Sequence, residues 1–245
     1  MLNAMLSAAA NGGSVGWNPV SFASSDLKHS ASPLSGCSDS YTGTLSFWVR
    51  MDAADGGAIK NFVHGGVGYV QLWLDTSNIL ILRVQDTGGS YASYRTNSAV
   101  LLQGSAWRHV AASWDTNAGA SSKQFQMYID GVAQSCTRTD PYAAFQQMWG
   151  STPSNLNIAG ADGMQQLKGS LAQFYLNTST RIDLSTGLSK FYSGGKPVSL
   201  GPTGAIPTGS QPAVFIGNPA ATVTTNLGFA GNFAKNGTPT DTTGL

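Results

Sequence analysis

Arg108-His109-Val110-Ala111-Ala112-Ser113-Trp114-Asp115, followed by Gln124-Phe125-Gln126-Met127-Tyr128-Ile129-Asp130-Gly131-Val132, decides the fold class. In the first segment Val110, Ala112 and Trp114 fall on one side of an extended chain. In the second, Phe125, Met127 and Ile129 alternate with Gln124, Gln126 and Tyr128. Successive side chains of a strand point to opposite faces, so a period of two marks a strand with one buried face. Asp130-Gly131 supplies two residues that tolerate positive φ, so Gln124–Ile129 and Val132–Thr137 are expected to pair as a hairpin.

The same alternation continues on either side. In Thr44–Met51, Leu45, Phe47, Val49 and Met51 share one face while Ser46, Trp48 and Arg50 share the other. Val70, Leu72 and Leu74 oppose Tyr69, Gln71 and Trp73. Asn78–Gln85 is almost continuously apolar (Ile79, Leu80, Ile81, Leu82, Val84) and reads as a strand covered on both faces. Leu156–Ala159 and Leu167–Leu176 read as two further strands, with Asp- and Gly-containing turns at 55–57, 86–89 and 162–163. A single short helix is expected around Leu184–Tyr192, with Asp183 as its N-cap and Gly194 as its stop. The expected fold is all-β, an antiparallel β-sandwich over residues 1–193. Residues 194–245 form a Gly/Pro/Thr-rich C-terminal arm whose apolar beats (Val214-Phe215-Ile216, Phe229, Phe233) must dock on that sandwich or on a neighbouring subunit.

Charge removes several functions. Only 10% of the 245 residues are charged, against about a quarter in ordinary domains, and 13 basic residues face 12 acidic ones without a run of either sign. A nucleic-acid partner needs a basic footprint, and none is present. No apolar stretch approaches the ~18 residues that a membrane span needs. A surface so poor in charge favours assembly, so a homo-oligomer is expected. Met1–Leu6 lacks a positive n-region and Asn3 interrupts its apolar run, so no signal peptide is expected. Cys37 and Cys136, with no Cys or His cluster near them, then read as two thiols of a protein made in a reducing cytoplasm.

Gly43-Thr44-Leu45-Ser46-Phe47-Trp48-Val49, Ala106-Trp107-Arg108-His109-Val110-Ala111-Ala112-Ser113-Trp114-Asp115, Met127-Tyr128-Ile129-Asp130-Gly131-Val132, Asn157-Ile158-Ala159-Gly160 and Lys168-Gly169-Ser170-Leu171-Ala172-Gln173-Phe174-Tyr175 together resemble the strands of laminin-G-like and pentraxin-like domains of the concanavalin A-like lectin/glucanase superfamily. The resemblance covers residues 17–180 and implies a concanavalin-like jelly roll. It also implies that His109 is a hydrogen-bonded histidine of the sandwich. A second resemblance lies in Asp183-Leu184-Ser185, Lys190-Phe191-Tyr192, Gly195–Gly201, Pro207-Thr208-Gly209 and Gln211-Pro212. These are similar to the segment that follows concanavalin-like domains in tailed-bacteriophage structural proteins. This implies a virion-surface protein, made in the host cytoplasm, with capsid or tail subunits as partners.

The superfamily includes laminarinase-type glycosidases, whose Glu-x-Asp-x-x-Glu strand supplies the nucleophile and the acid/base. All 12 acidic residues here are Asp, and no Asp pair occupies one strand, so a non-enzymatic role is expected over glycoside hydrolysis. Domains of this kind also carry Ca²⁺ at loop rims, where Asp52, Asp55, Asp75 and Asp162 are the acids available. Each has a simpler reading as an ordinary turn residue, and no cofactor is expected. Trp48, Arg50, Tyr69, Gln71, Trp73, Gln126 and Tyr128 stand opposite the core sets of their strands and are expected to point outward. Rings beside amides suit a saccharide groove; the alternative is that loops, the arm or a subunit interface covers them. The expected function is decoration or stabilisation of a phage capsid or tail with glycan contact, and the alternative is a tail-associated adhesin for host polysaccharide.

Overall fold

The computed structural model describes residues 18–243 apart from 24, 30–33, 53–58, 67, 101, 105, 118–123, 141, 152–154 and 162–164. Its strands are β1 (Val20–Ser21), β2 (Asp26–His29), β3 (Thr42–Met51), β4 (Lys60–Gly65), β5 (Val70–Leu74), β6 (Leu80–Gln85), β7 (Tyr91–Thr96), β8 (Arg108–Asp115) and β9 (Gln124–Ile129). They continue as β10 (Val132–Ala133), β11 (Cys136–Thr139), β12 (Leu156–Ile158), β13 (Gly169–Asn177), β14 (Tyr192–Ser193), β15 (Lys196–Pro197), β16 (Val214–Ile216), β17 (Ala234–Asn236) and β18 (Thr240–Asp241). The first sheet runs β10-β9-β8-β3-β13-β1-β18, with β16 also on β13. The second runs β11-β7-β6-β5-β4-β12-β2-β17. All pairings within these two sheets are antiparallel, giving the sandwich expected.

The alternating residues fill the space between the sheets. Leu45, Phe47, Val49 and Met51 of β3 are fully buried, and the Phe47 ring lies 5.3 Å from Phe62 of β4 and 5.9 Å from Phe174 of β13. Val110, Ala112 and Trp114 join the same core, as do Phe125, Met127 and Ile129. A Cβ at Gly43 would collide with the Trp114 indole, so only glycine lets β3 pass it. Asp130 and Gly131 turn the hairpin with φ of 48° and 83°. The Asp130 carboxylate closes the turn by accepting from Arg108 Nε and from the His109 N–H.

Several boundaries differ from the sequence reading for local reasons. The expected strand Val132–Thr137 divides: β10 stays on β9, whereas β11 crosses to the second sheet and pairs with β7. β6 is not covered on both faces, since Arg83 and Gln85 are half-exposed on its outer side. The helix (α1) spans Leu184–Gly187 and continues as a 3₁₀ turn only to Lys190; Asp183 caps it by accepting from the Ser185 N–H at 2.9 Å. Gly194 therefore does not stop the helix but turns the β14–β15 hairpin together with Gly195, with φ of 56° and 80°. In β13, Gln173 (φ 49°) is an extra residue in a bulge, which keeps Leu171, Phe174 and Leu176 all facing the core.

After α1 the chain builds a further layer. Ile182, Leu184, Phe191, Leu200 and Phe215 pack on Ala111 and Tyr175, on the side of the first sheet that faces away from the second. The C-terminal strands then return to both sheets, with β16 on β13, β17 on β2 and β18 on β1. Cys37 and Cys136 are free thiols half-buried against the core. Burial pushes the Cys136 thiol up to about 11.

Candidate functional site

The seven outward-facing candidates do not form one patch. Four stand on the outer face of the first sheet, two on the outer face of the second, and Tyr69 is on neither.

The first sheet's outer face is sealed by the chain itself. Trp48 is 2% exposed, with the Tyr192 ring parallel to it at 5.8 Å and the His109 ring at 5.2 Å. His109 is fully buried, its Nε2 is 2.9 Å from Ser46 Oγ, and burial pushes its pKa down to about 3. Gln126 donates to Asp183 at 2.8 Å and accepts from the Leu184 N–H at 2.7 Å, so its amide is spent on docking α1. These bonds from Gln126 and Ser185 hold the Asp183 carboxyl down at about 2. Tyr128 is half-buried against the layer that carries α1. Arg50 lies over Trp107 and reaches Thr242 Oγ1 at 2.6 Å and Thr243 O at 3.1 Å, which ties down the C-terminal end.

Tyr69 corrects the parity argument. It is fully buried, stacks on Trp149 at 4.9 Å and belongs to the core, where burial pushes its phenol up to about 12. The chain enters β5 through a bend at Gly68-Tyr69, so the alternation counted from Val70 does not reach back to it.

On the second sheet the register sets outward residues side by side. One row reads Lys28, Asn157, His64, Gln71, Arg83, Ser93 and Thr139 across β2, β12, β4, β5, β6, β7 and β11. At the usual strand spacing this row spans about 29 Å. The next reads Asn61, Trp73, Ile81, Arg95 and Thr137. Trp73 is half-buried in the middle of it. Gln71 is half-buried and donates to Gly65 O at 2.9 Å, and Asn61 donates to Gln165 at 2.8 Å. Arg83 lies over the Tyr91 ring at 4.2 Å. The second row opens at one end into a cleft of about 350 Å³ lined by Ile79, Arg95, Thr96, Asn97 and Thr137. Asn61 and Asn157 are buried within these rows, so what the face presents is the Trp73 ring, the Gln71 amide, hydroxyls and two guanidinium groups, the equipment for stacking on sugar rings and bonding their hydroxyls.

Carboxylates are scarce on it. The strand carboxylate facing this way is Asp26, fully buried, with Oδ1 accepting from Gln166 and Asn236 at 3.0 and 3.2 Å. Asp75 is committed to its turn, its Oδ1 accepting from the N–H groups of Ser77 and Ile79, with Arg95 3.8 Å from Oδ2. Asp52 lies exposed at the end of β3. Asp55 and Asp162 lie outside the described residues. Among the described residues no three His, Cys or Asp side chains come together as a metal site would need.

The sequence profile of the concanavalin A-like lectin/glucanases superfamily (Laminin_G_3) matches residues 23–181. The chain belongs to this superfamily. No curated protein sequence matches it. Among solved structures, a proposed carbohydrate-binding protein from Bacteroides ovatus superposes with a TM-score of 0.56 at 15% identity, over 93% of this chain and 60% of its own. This chain therefore spans about three fifths of that protein. A pentraxin of Limulus polyphemus aligns at 12% identity and TM-score 0.45 over 67% of this chain and 77% of its own. Mouse laminin α1 domains LG4–5 align at 13% and 0.43 over 69% and 44%. At such identities the likeness is one of fold. The superfamily sandwich here carries Trp73 and Gln71, both half-buried, on the outer face of the second sheet. Arg83, Tyr91, Arg95 and His64 were missed. Their signal was the same parity, masked where apolar Ile81 faces outward on β6 and where β4 and β7 lack a clean apolar beat.

Proposed function

We propose that this chain is a non-enzymatic glycan-binding module that holds a saccharide chain along the outer face of the second sheet. The observation that carries this is the half-buried Trp73, in register with polar groups in a row that ends at an open cleft, whereas the chain buries Trp48 beneath its own Tyr192. The name of the Bacteroides ovatus protein, which shares the fold, supports the same reading. The absence of Glu from the sequence, and of a carboxylate pair on this face among the described residues, supports binding over hydrolysis.

The test is Trp73→Ala, with binding to a panel of polysaccharides followed by affinity electrophoresis and calorimetry. Loss of a central aromatic anchor is expected to weaken binding by about thirtyfold, ~2 kcal/mol. Trp48→Ala is the contrast, since its ring is unreachable and its removal acts on folding. If Trp73→Ala binds as the parent does, or the parent retains no polysaccharide, the reading fails.

Its setting, we infer, is the surface of a phage-like particle. The resemblance of residues 183–212 to phage structural proteins and the charge-poor composition support this. An open glycan face favours a tail-associated adhesin. The second reading is capsid or tail decoration by a homo-oligomer, and the exposed apolar side chains Val132, Ile206 and Phe229 favour that one. Solution mass and co-purification with particles separate the two.

A further inference from the structure

Arginine is rare enough here for every copy to be accounted for. The sequence has six: Arg50, Arg83, Arg95, Arg108, Arg138 and Arg181. Arg50 holds the C-terminal end, Arg95 faces Asp75, Arg108 braces the Asp130 turn, and Arg138 has a partner of its own. Arg181 lines a separate cleft of about 400 Å³ beside α1, where Asp183 already supplies a countercharge. Arg83 and Arg181 both have a buried Nε without an acceptor, and neither has a hydrogen bond or ion pair among the described residues. What sets Arg83 apart is its place on the outer face of the second sheet, in the row of Gln71 and Ser93. Its guanidinium lies over Tyr91, which is braced in turn by Tyr142 at 5.4 Å, and its terminal nitrogens reach solvent.

A guanidinium held over a ring, with no acceptor among the described residues, is preset for an oxyanion from outside. It offers a planar fork of donors that matches a carboxylate or sulfate in a way that an ammonium does not. Register places Arg83 beside Gln71 and Ser93, and diagonal to Trp73 on the neighbouring strand. Diagonal neighbours across a sheet stay within reach of long side chains. Arg95 adds a second cation in the adjacent row, and the face's strand carboxylate, Asp26, is buried at the far edge. We infer that the glycan held on this face is an acidic polysaccharide, whose carboxylate or sulfate group is bound by Arg83 while a neighbouring sugar ring stacks on Trp73. The inference rests on the glycan-face reading and narrows it to a substrate class.

The test pairs each acidic polymer with a neutral counterpart: polygalacturonate against its carboxyl-reduced form, and dextran sulfate against dextran. Affinities are measured by calorimetry at low and high NaCl. At least one acidic polymer is expected to bind about ten- to a hundredfold more tightly than its counterpart, as charge-assisted hydrogen bonds allow. The preference should shrink as salt rises, and the pair that shows it identifies carboxylate or sulfate as the group bound. Arg83→Gln should bring the acidic-to-neutral ratio close to one, and Arg83→Lys should keep only part of it because the charge remains and the fork is lost. Arg83 makes no hydrogen bond among the described residues, so both variants should melt close to the parent. Equal binding of acidic and neutral polymers overturns the inference but leaves the glycan face standing, provided that binding depends on Trp73. A preference that survives in both variants also overturns it, since the charge then acts elsewhere. If none of the four polymers and none of the wider panel binds, both readings fall.

Discussion

A chain cut at Gly194 is expected not to fold, although residues 23–181 alone match the superfamily. The cut removes Leu200, Val214, Phe215, Ile216, Val223 and Phe233, all of them at most 6% exposed. Burying one large apolar side chain contributes about 1.5–3 kcal/mol, so these six together match or exceed the ~5–15 kcal/mol by which domains are stable. The cut also strips β16 from β13, β17 from β2 and β18 from β1, leaving backbone donors and acceptors of both sheets unpaired. It further uncovers Tyr175 and Ala111, which Phe215 and Leu200 help to cover. Expression of residues 1–194 beside the full chain, with solubility and thermal melting followed by circular dichroism, checks this. A soluble fragment that melts cooperatively near the parent would mean that the sandwich stands alone and the C-terminal layer is an attachment. The same outcome would free Trp48, because the β14–β15 hairpin that presents Tyr192 would have lost its far strand.

That expectation also shows where the sequence was legible. β3, β8 and β9 alternate cleanly because one side meets the core and the other meets side chains of mixed character. β9 is pinned to β8 where the Asp130 carboxylate accepts from Arg108 and the His109 N–H, and β3 to β8 where Gly43 passes the Trp114 indole. Alternation reports which side of a strand a residue occupies, but not what covers that side. Trp48 and Trp73 are both outward by parity; one is sealed by a ring 144 positions later in the chain, and the other stays half-buried. Tyr69 fails for a different reason, since a single bend before β5 resets the parity. The tail was harder still. Val214-Phe215-Ile216 is too short to declare a strand by pattern, and its partner in β13 lies about forty residues earlier, at Phe174–Leu176. Arg83 stayed hidden because a run of apolar neighbours made β6 look buried on both faces.

The full chain is expected to lose stability steeply in mild acid, and His109 is the reason. Burial depresses its pKa from 6.5 to about 3, so the folded protein keeps the imidazole neutral across the range in which the unfolded chain protonates it. Between those two values the unfolded state binds more protons, and stability rises with pH. It is fully present above about 6.5 and drains away as pH falls toward 3. At pH 4 the cost reaches ~3 kcal/mol relative to pH 7, a large share of a domain's reserve. The Trp48 and Tyr192 rings, centred 5.2 and 5.3 Å away, attract an imidazolium and oppose this. Such contacts are worth ~1–2 kcal/mol, too little to reverse a desolvation of this size. His29, lowered by burial as well, acts with the same sign as pH falls below 6.5. Urea midpoints at pH 7, 5 and 4 measure the loss, and His109→Gln isolates it. That variant keeps a polar group near Ser46 and gives up the titration, so its stability should vary far less between pH 7 and pH 4, even if its value at pH 7 is lower. Parallel pH profiles for parent and variant would mean that protonation of His109 is not what acid exploits. The acid lability would then have to come from His29 or the carboxylates, with Asp183, held at about 2 by Gln126 and Ser185, giving way only at the lowest pH.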